Sequence, residues 1–183
     1  MRIVGGAWRG RRLVAPPGTA TRPSADRVRQ ALFDMLLHAP WAGREAIAGA
    51  RVLDAFAGTG AFGLEALSRG AAHATFVEVD GTALAALRAN VAALGAAART
   101  GVIAADVLRC PPGSARGVVF LDPPYGCDLV SRAVPALARA GWIGGGSLIV
   151  AELGRADPVP EFSPLLASRA HGAAQLAVWL WQG

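Results

Sequence analysis

From Arg51 onward, short apolar runs alternate with longer amphipathic stretches. The runs predict strands at RVLDAFAG, HATFVEVD, TGVIAAD, RGVVFLD and GGSLIVAEL. Helical spacing predicts helices at AFGLEALSRG, GTALAALRANVAALGA and DLVSRAVPALARAG, where Pro135 indicates a kink or a late start. The last stretch, LLASRAHGAAQLAVWLWQG, predicts two strands that meet near HG. This alternation predicts an α/β fold with a mostly parallel, seven-stranded, Rossmann-like sheet closed by an antiparallel C-terminal strand.

The first 48 residues have a different pattern of apolar and polar positions. Residues 1–18 alternate loosely and predict a short hairpin that ends at APPG. The stretch TRPSADRVRQALFDMLLH predicts a helix with Ser24 as its cap and Asp26 in its first turn. The sequence therefore predicts a small hairpin-helix extension over residues 1–48 and an α/β domain over residues 49–183.

A glycine-rich loop follows the first predicted strand, in LDAFAGTGAFGLEAL. Gly58 and Gly60 allow a tight turn close to a ligand, although an ordinary strand-to-helix turn has the same composition. An acid, Asp54, ends the strand just before this loop. A carboxylate is unfavourable beside a phosphate at a helix N-terminus, so Asp54 favours a cationic or amine-bearing ligand over a dinucleotide.

Acidic residues end four successive predicted strands: Asp54, Glu78, Asp106 and Asp122. Because the carboxyl ends of parallel strands open onto one cleft, we expect these carboxylates to line it. Glu78 is suited to accept both hydroxyls of a ribose. Asp106 is suited to an adenine amino group or to capping a turn, and Asp80 is a less suitable substitute for Glu78 and a candidate helix cap. A ligand with a ribose, an adenine and a positive charge but no phosphate fits this row, and S-adenosylmethionine has those features.

The fourth strand ends in VVFLDPPYG. Prolines cannot continue a ladder of backbone hydrogen bonds, because they have no N–H group. Asp122 to Tyr125 is therefore predicted to form a stiff loop at the edge of the cleft, with the ring of Tyr125 pointing into it.

Charge adds a second expectation. The net charge is +5, and all 18 basic residues are arginines. Asp26 is the only acid among the first thirty residues, which favours a polyanionic partner for this segment. The arginines concerned are Arg2, Arg9, Arg11, Arg12, Arg22, Arg27 and Arg29, and of these Arg22, Arg27 and Arg29 are expected nearest the cleft.

Composition sets the remaining expectations. No uncharged apolar stretch approaches the ~18 residues that span a membrane. The cysteines, Cys110 and Cys127, form no spaced framework, and the histidines show no metal-ligand spacing. We expect a cytoplasmic monomer without a metal.

These motifs resemble those of a known family. DAFAGTG, VEVD, AAD and DPPY are similar, in that order, to the motifs of class I S-adenosylmethionine-dependent methyltransferases. DPPY is similar to the subset that methylates exocyclic or amide nitrogens. RIVGGAWRGRRLVAP followed by TRPSADRVRQALFDML resembles the RsmD family of ribosomal RNA guanine-N2 methyltransferases. The resemblance covers nearly the whole chain and implies 16S rRNA of the small ribosomal subunit as the partner.

The resemblance implies a direct methyl transfer from S-adenosylmethionine to the exocyclic N2 of a guanine. Asp122 and the carbonyl of Pro123 would accept hydrogen bonds from the amino group and hold it in line. Pro124 stiffens the loop with Pro123, and Tyr125 would stack on the flipped base. The residues that the resemblance assigns to the cofactor are Asp54, Phe56, Ala57, Gly58, Gly60, Glu78 and Asp106.

Other functions fit parts of the pattern. An adenine-N6 nucleic-acid methyltransferase uses a similar loop, but usually carries a large target-recognition region for which 183 residues leave no room. A protein-glutamine methyltransferase would leave the basic N-terminus without a purpose. A catalytically silent RNA-binding protein with the same fold is the alternative from outside the enzymes. A nicotinamide-dependent oxidoreductase is disfavoured by Asp54.

Overall fold

The computed structural model describes residues 1–16 and 23–183. Its seven strands are β1 (Arg51–Ala55), β2 (His73–Glu78), β3 (Thr100–Ala104), β4 (Val118–Leu121), β5 (Leu148–Gly154), β6 (Leu165–His171) and β7 (Ala174–Leu180). Its α-helices are α1 (Pro23–His38), α2 (Ala61–Ser68), α3 (Gly81–Ala93) and α4 (Leu129–Arg139). Each strand and helix predicted from Arg51 onward is confirmed.

All seven strands form one sheet in the order β3-β2-β1-β4-β5-β7-β6. The first five strands are parallel to one another, and β7 runs antiparallel to both β5 and β6. The direction in which the chain adds strands reverses at β1. Strands β2 and β3 are added on one side of β1, and β4 and β5 on the other. In open α/β sheets, ligands bind outside the carboxyl ends of the strands at such a reversal. The Rossmann-like α/β prediction, with its antiparallel C-terminal strand, is thus confirmed.

The two faces of the sheet carry separate hydrophobic clusters. Alternate strand residues such as Val52, Phe76 and Phe120 join one cluster with α1, α2 and α3. Their neighbours, Leu53, Val77 and Leu121, join a second cluster with α4. Both faces are covered, which explains why the central strands read as continuous apolar runs. The helix α4 continues through Pro135, so the late start proposed from the sequence is wrong.

The N-terminal extension packs into the first of these clusters. Ile3 and Leu13 lie in it together with Val28, Leu32 and Phe33 of α1. The predicted hairpin is an antiparallel turn with a single bridge, Arg2 to Arg12, around a short 3-10 helix at Gly6–Trp8. Asp26 lies in the first turn of α1, as predicted. The end of APPG falls outside the described residues, as does the side chain of Ser24.

Within residues 1–16 and 23–183, no helix is both long enough and apolar enough to cross a bilayer.

Candidate active site

The loop between β1 and α2 is held in a strained, tight conformation. Gly58 and Gly60 have φ angles of 54° and 80°, and Phe56 between the strand and these glycines has a φ of 67°. A Cβ at Gly60 would lie 2.4 Å from Leu87 Cδ1, so only glycine fits the close approach to α3. A Cβ at Gly58 would meet nothing within 4 Å, which leaves its backbone open to an approaching ligand. Left-handed backbone at a non-glycine residue such as Phe56 is typical of functional loops.

Asp54 lies beneath this loop and is fully buried. Its Oδ2 accepts the Gly63 N–H at 2.8 Å, which ties the end of β1 to the first turn of α2. The pKa of the carboxyl is raised from 3.8 to about 7, mainly by burial and also by the charge of the neighbouring Glu78, against the opposing effects of the Gly63 hydrogen bond and Arg29. With this pKa the carboxyl is partly protonated near neutral pH, and a positive charge nearby favours its ionised form.

Glu78 points from the end of β2 into the same loop. Its Oε2 accepts the Gly58 N–H at 2.7 Å, and its Oε1 accepts the N–H groups of Val79 and Asp80, each at 2.8 Å. Each carboxylate oxygen can accept two hydrogen bonds, so Oε2 keeps one position for a ligand hydroxyl.

The other two predicted acids act as caps. Asp80 is the N-cap of α3 and accepts the Ala83 N–H at 2.8 Å, and this bond lowers the pKa of its carboxyl. Asp106 is exposed after β3 and caps a short 3-10 helix through Leu108 N–H at 2.9 Å. The capping alternatives are therefore confirmed, and the role of Asp106 at the adenine stays a prediction.

The DPPY loop begins where β4 ends. Asp122 opens onto the cleft, Pro123 is buried, and Tyr125 exposes 40% of its surface. The Tyr125 hydroxyl donates a hydrogen bond to Glu152 Oε1 on β5. The loop thus leans against the neighbouring strand and places an aromatic ring at the edge of the cleft.

Asp157 fixes the loop from the other side. Its Oδ2 accepts the N–H groups of Gly126 and Gly154, at 3.1 and 2.9 Å. A Cβ at Gly154 would lie 3.1 Å from Tyr125 Cβ and 2.8 Å from Asp157 Oδ2. This close packing positions the loop before a substrate arrives.

Glu152 is a site residue that the sequence analysis missed. The last register pair of β4 and β5 is Leu121 with Ala151, so Asp122 and Glu152 follow side by side on adjacent strands. Asp122 lies open to the cleft, yet the surrounding protein withdraws water from its carboxyl. This desolvation raises the pKa of Asp122 well above 3.8, and the charges of Glu152 and Asp54 raise it further. The signal was the acid in IVAEL, which continues the row of acids at strand ends.

The predicted phosphate-binding arginines separate into three groups. Arg2, Arg9, Arg11, Arg12 and Arg27 are exposed. Arg22 lies outside the described residues. Arg29 is only 2% exposed, so its assignment as a surface ligand of RNA phosphate is corrected.

Arg29 instead joins the N-terminal extension to the α/β domain. Its Nη2 lies 2.9 Å from Asp26 Oδ1 and donates to the Arg2 carbonyl, and its Nε lies 3.6 Å from Glu65 Oε2. Glu65 is fully buried on α2 and also pairs with Arg69 at 2.7 Å. A helix pattern cannot show this role, because which face of α1 is buried depends on what packs against it.

An open cavity of about 830 Å³ lies between the N-terminal segment and α1. Arg2, Arg9 and Arg27 contribute to its walls, as do Asp26 and His171 of β6. Within the described part of the chain, no group of three His, Cys, Asp or Glu side chains could hold a metal ion.

The sheet order, the glycine loop after its first strand and the DPPY loop after its fourth define a class I methyltransferase fold. The family model described as Conserved hypothetical protein 95 matches residues 1–182. The chain belongs to this family, and the resemblance to the RsmD methyltransferases is confirmed.

Named relatives agree with the assignment. The Ribosomal RNA small subunit methyltransferase D of Escherichia coli strain K12 is 42% identical over 153 residues, covering 83% of this chain and 74% of the relative. The protein of the same name from Haemophilus influenzae is 35% identical and covers 94% of this chain and 89% of the relative.

Solved structures share the fold. The yhhF protein of Escherichia coli superposes with a TM-score of 0.83 at 35% identity, covering 100% of this chain and 98% of that chain. An RNA methyltransferase from Salinibacter ruber, solved in complex with S-adenosyl-L-homocysteine, has a TM-score of 0.66 at 15% identity, covering 90% and 94%. At that identity the second likeness shows the fold alone.

Proposed function

We propose that this protein transfers a methyl group from S-adenosylmethionine to the exocyclic N2 of a guanine in bacterial 16S rRNA. The observation that carries the proposal is the acceptor edge of the DPPY loop. The Asp122 carboxylate and the Pro123 carbonyl belong to a loop that Tyr125 and Asp157 fix in place. Two acceptors on a rigid loop suit an amino group, which has two hydrogens to donate.

The residues around the glycine loop fit the cofactor. The open backbone at Gly58 admits a ligand, and the free position on Glu78 Oε2 suits a ribose hydroxyl. Asp54 has a pKa raised to about 7, and a cation bound beside it favours its ionised form. Phe56, Ala57 and Gly60 would complete the cradle. When bound, S-adenosylmethionine supplies an activated methyl group on a sulfonium, whose loss leaves S-adenosylhomocysteine.

The protein's own part in the reaction concerns the amine. The N2 lone pair of guanine is delocalised into the ring, which makes the nitrogen a poor nucleophile. Hydrogen bonds to Asp122 and to the Pro123 carbonyl favour a pyramidal nitrogen and orient its lone pair. As the new C–N bond forms, one N2 proton must leave. Asp122 is a suitable acceptor because its pKa is raised well above the ordinary value of an aspartate, mainly by desolvation, which makes its carboxylate a stronger base.

The exposed arginines supply affinity for the RNA backbone. Arg2, Arg9 and Arg27 face the open cavity beside α1, and Arg11 and Arg12 extend the basic surface along the N-terminal turn. Guanidinium groups bind phosphate in bidentate fashion. The names of the curated relatives, which specify small-subunit ribosomal RNA, support this choice of partner.

The decisive experiment is methyl transfer from labelled S-adenosylmethionine, followed by nucleoside analysis. The acceptors are small subunits lacking the modification, naked 16S rRNA and duplex DNA. N2-methylguanosine is the expected product, and Asp122→Asn should reduce its rate by about 100-fold or more. The charge-matched control is Glu45→Gln, at an exposed acid in the segment between α1 and β1 and outside both loops. N6-methyladenine as the product would overturn the substrate, and no transfer together with no cofactor binding would indicate the silent RNA-binding alternative.

A further inference from the structure

Glu152 has no task in the reaction described above, although it stands beside Asp122. It lies one position beyond the last β4–β5 pair, and neighbouring strands are about 4.8 Å apart. Leu121 and Ala151, the residues just before the two acids, both point into the hydrophobic cluster beneath α4. Because side chains alternate along a strand, Asp122 and Glu152 both project to the opposite face of the sheet. Two carboxylates therefore flank the point where the acceptor base must enter.

The orientation of Glu152 is fixed. Oε1 accepts the Tyr125 hydroxyl, whereas Oε2 takes no hydrogen bond from the residues that the structure describes. The side chain is half-buried and forms part of the wall of a cavity of about 170 Å³, together with Pro123, Pro124 and Tyr125. This volume is below the ~300 Å³ of ordinary ligand pockets, which suits one planar base.

A carboxylate at this position distinguishes bases by the hydrogen on N1. Guanine presents two adjacent kinds of donor on its Watson–Crick edge, N1–H and the N2 amino group. Adenine presents an amino group beside an unprotonated N1. This nitrogen is a hydrogen-bond acceptor, so a carboxylate repels it. Bases that leave the stack are read by hydrogen bonds to this edge.

We propose that Glu152 accepts the N1–H of the target guanine through Oε2 and so selects guanine over purines without that hydrogen. This inference rests on the proposed guanine-N2 reaction and assigns Glu152 a specificity role within it. Asp122 and Pro123 hold the amino group that reacts, and Glu152 reads the neighbouring ring nitrogen. Burial raises the pKa of the Glu152 carboxyl, against the opposing effects of Tyr125 and Arg29. Hydrogen bonds from the N1–H and the N2 amino group of guanine would therefore stabilise the ionised forms of Glu152 and Asp122.

The test uses 2-aminopurine, which keeps the N2 amino group but has an unprotonated N1. The acceptor found in the first experiment is prepared with either guanine or 2-aminopurine at the methylated position. Wild-type protein should prefer guanine by roughly 100-fold in kcat/KM. In Glu152→Gln, the amide can donate to N1, so the preference should fall at least tenfold. Glu161→Gln, at an exposed acid in the following segment, is the control and should keep it.

Two further arms keep the outcomes separate. Tyr125→Phe removes the hydroxyl but leaves the Glu152 carboxylate in place. It should slow methyl transfer to both acceptors and preserve most of the preference for guanine over 2-aminopurine. If Glu152→Gln is too slow to assay, the fluorescence of 2-aminopurine reports binding, and competition by the guanine form gives the preference in dissociation constants, which is compared with that of wild type. A ratio that stays within about twofold of wild type overturns the role of Glu152. Absence of N2-methylguanosine with wild-type protein overturns the reaction itself.

Discussion

Asp54 is the residue whose chemistry depends most on what binds beside it. Its pKa is raised to about 7, mainly by burial, and a cationic ligand favours the ionised form. We therefore expect S-adenosylmethionine to bind more tightly as the pH rises from 6 to 8, by up to about tenfold per pH unit below the pKa. Isothermal titration calorimetry should show proton release below pH 7.

The same titration in Asp54→Asn separates Asp54 from any group on the ligand. The amide has no proton to lose, so the affinity of this variant should change less with pH than that of wild type. Identical pH profiles for the two proteins would contradict a link between Asp54 and the cofactor.

Asp54 should also make the free protein less stable at higher pH. A carboxyl whose folded-state pKa is raised binds its proton more tightly when folded. Its stabilising contribution is therefore complete below pH 3.8 and is lost as the pH rises through about 7. Relative to wild type, Asp54→Asn should gain about 2–3 kcal/mol of unfolding free energy between pH 5 and pH 8. Urea unfolding of both proteins at the two pH values measures this, and a pH-independent difference would refute it.

The DPPY loop is held in one conformation because it follows β4 directly and is bonded to β5. Asp157 bonds the backbone on both sides, at Gly126 and Gly154. Asp157→Ala should leave the loop in place but loosen it, lowering kcat about tenfold with little change in cofactor affinity. Steady-state kinetics and calorimetry distinguish these quantities, and weakened cofactor binding with normal kcat would place the role of Asp157 elsewhere.

The helix α1 has one face for the core and one for solvent, and two of its arginines test the division. Arg29 is buried against Asp26 and Glu65, whereas Arg27 is exposed. Arg29→Gln should lose about 3 kcal/mol of unfolding free energy, because Asp26 loses its 2.9 Å ion pair and the buried Glu65 keeps Arg69 as its remaining cationic partner among the described residues. Arg27→Gln should change stability by less than about 0.5 kcal/mol and weaken RNA binding instead. Urea unfolding checks both, and equal losses would contradict the assignment.

The sequence was sufficient for features that depend on nearby residues. Apolar runs marked the strands, and Gly58 and Gly60 marked the turn, because strand, turn and helix propensities act over a few positions. Glu152 and Arg29 depend on contacts far apart in the chain. The former gains its meaning from the β4–β5 register, and the latter from the packing of α1 on α2. Asp106 shows that a local pattern can also be ambiguous. An aspartate directly after a strand can bind a ligand or cap a turn, and the sequence does not distinguish the two roles.

At the scale of the whole molecule, the exposed arginines and the carboxylates of the cleft belong to different segments of the chain. The acids gather at the strand ends, where the charges of Glu152 and Asp54 help to raise the pKa of Asp122. The exposed arginines lie on the N-terminal segment, and Arg11 also bonds the Ala93 carbonyl at 2.7 Å. A polyanion bound by the N-terminal segment would therefore be held by groups other than the carboxylates that act on the methyl acceptor.

The exposed arginines should accordingly govern affinity and its dependence on salt, and leave the chemical step alone. Arg9, Arg11 and Arg12 are replaced together by glutamine, which removes three charges without touching the cleft. Each phosphate contact contributes roughly 0.7–0.9 to the slope of log affinity against log salt. If all three contact phosphate, the slope should fall by about 2–3, and RNA affinity at low salt should drop by at least tenfold.

Filter binding across a salt series measures the slope, and single-turnover transfer at saturating RNA measures the chemical step. Replacing Arg132, Arg139 and Arg155 in the same way removes equal charge from other parts of the chain and serves as the control. An unchanged slope in the first variant, or an equal fall in both, would show that the N-terminal segment is not the RNA-binding surface. A fall confined to the first variant, with single-turnover rates intact, would establish that this segment holds the RNA while the strand ends carry out the transfer.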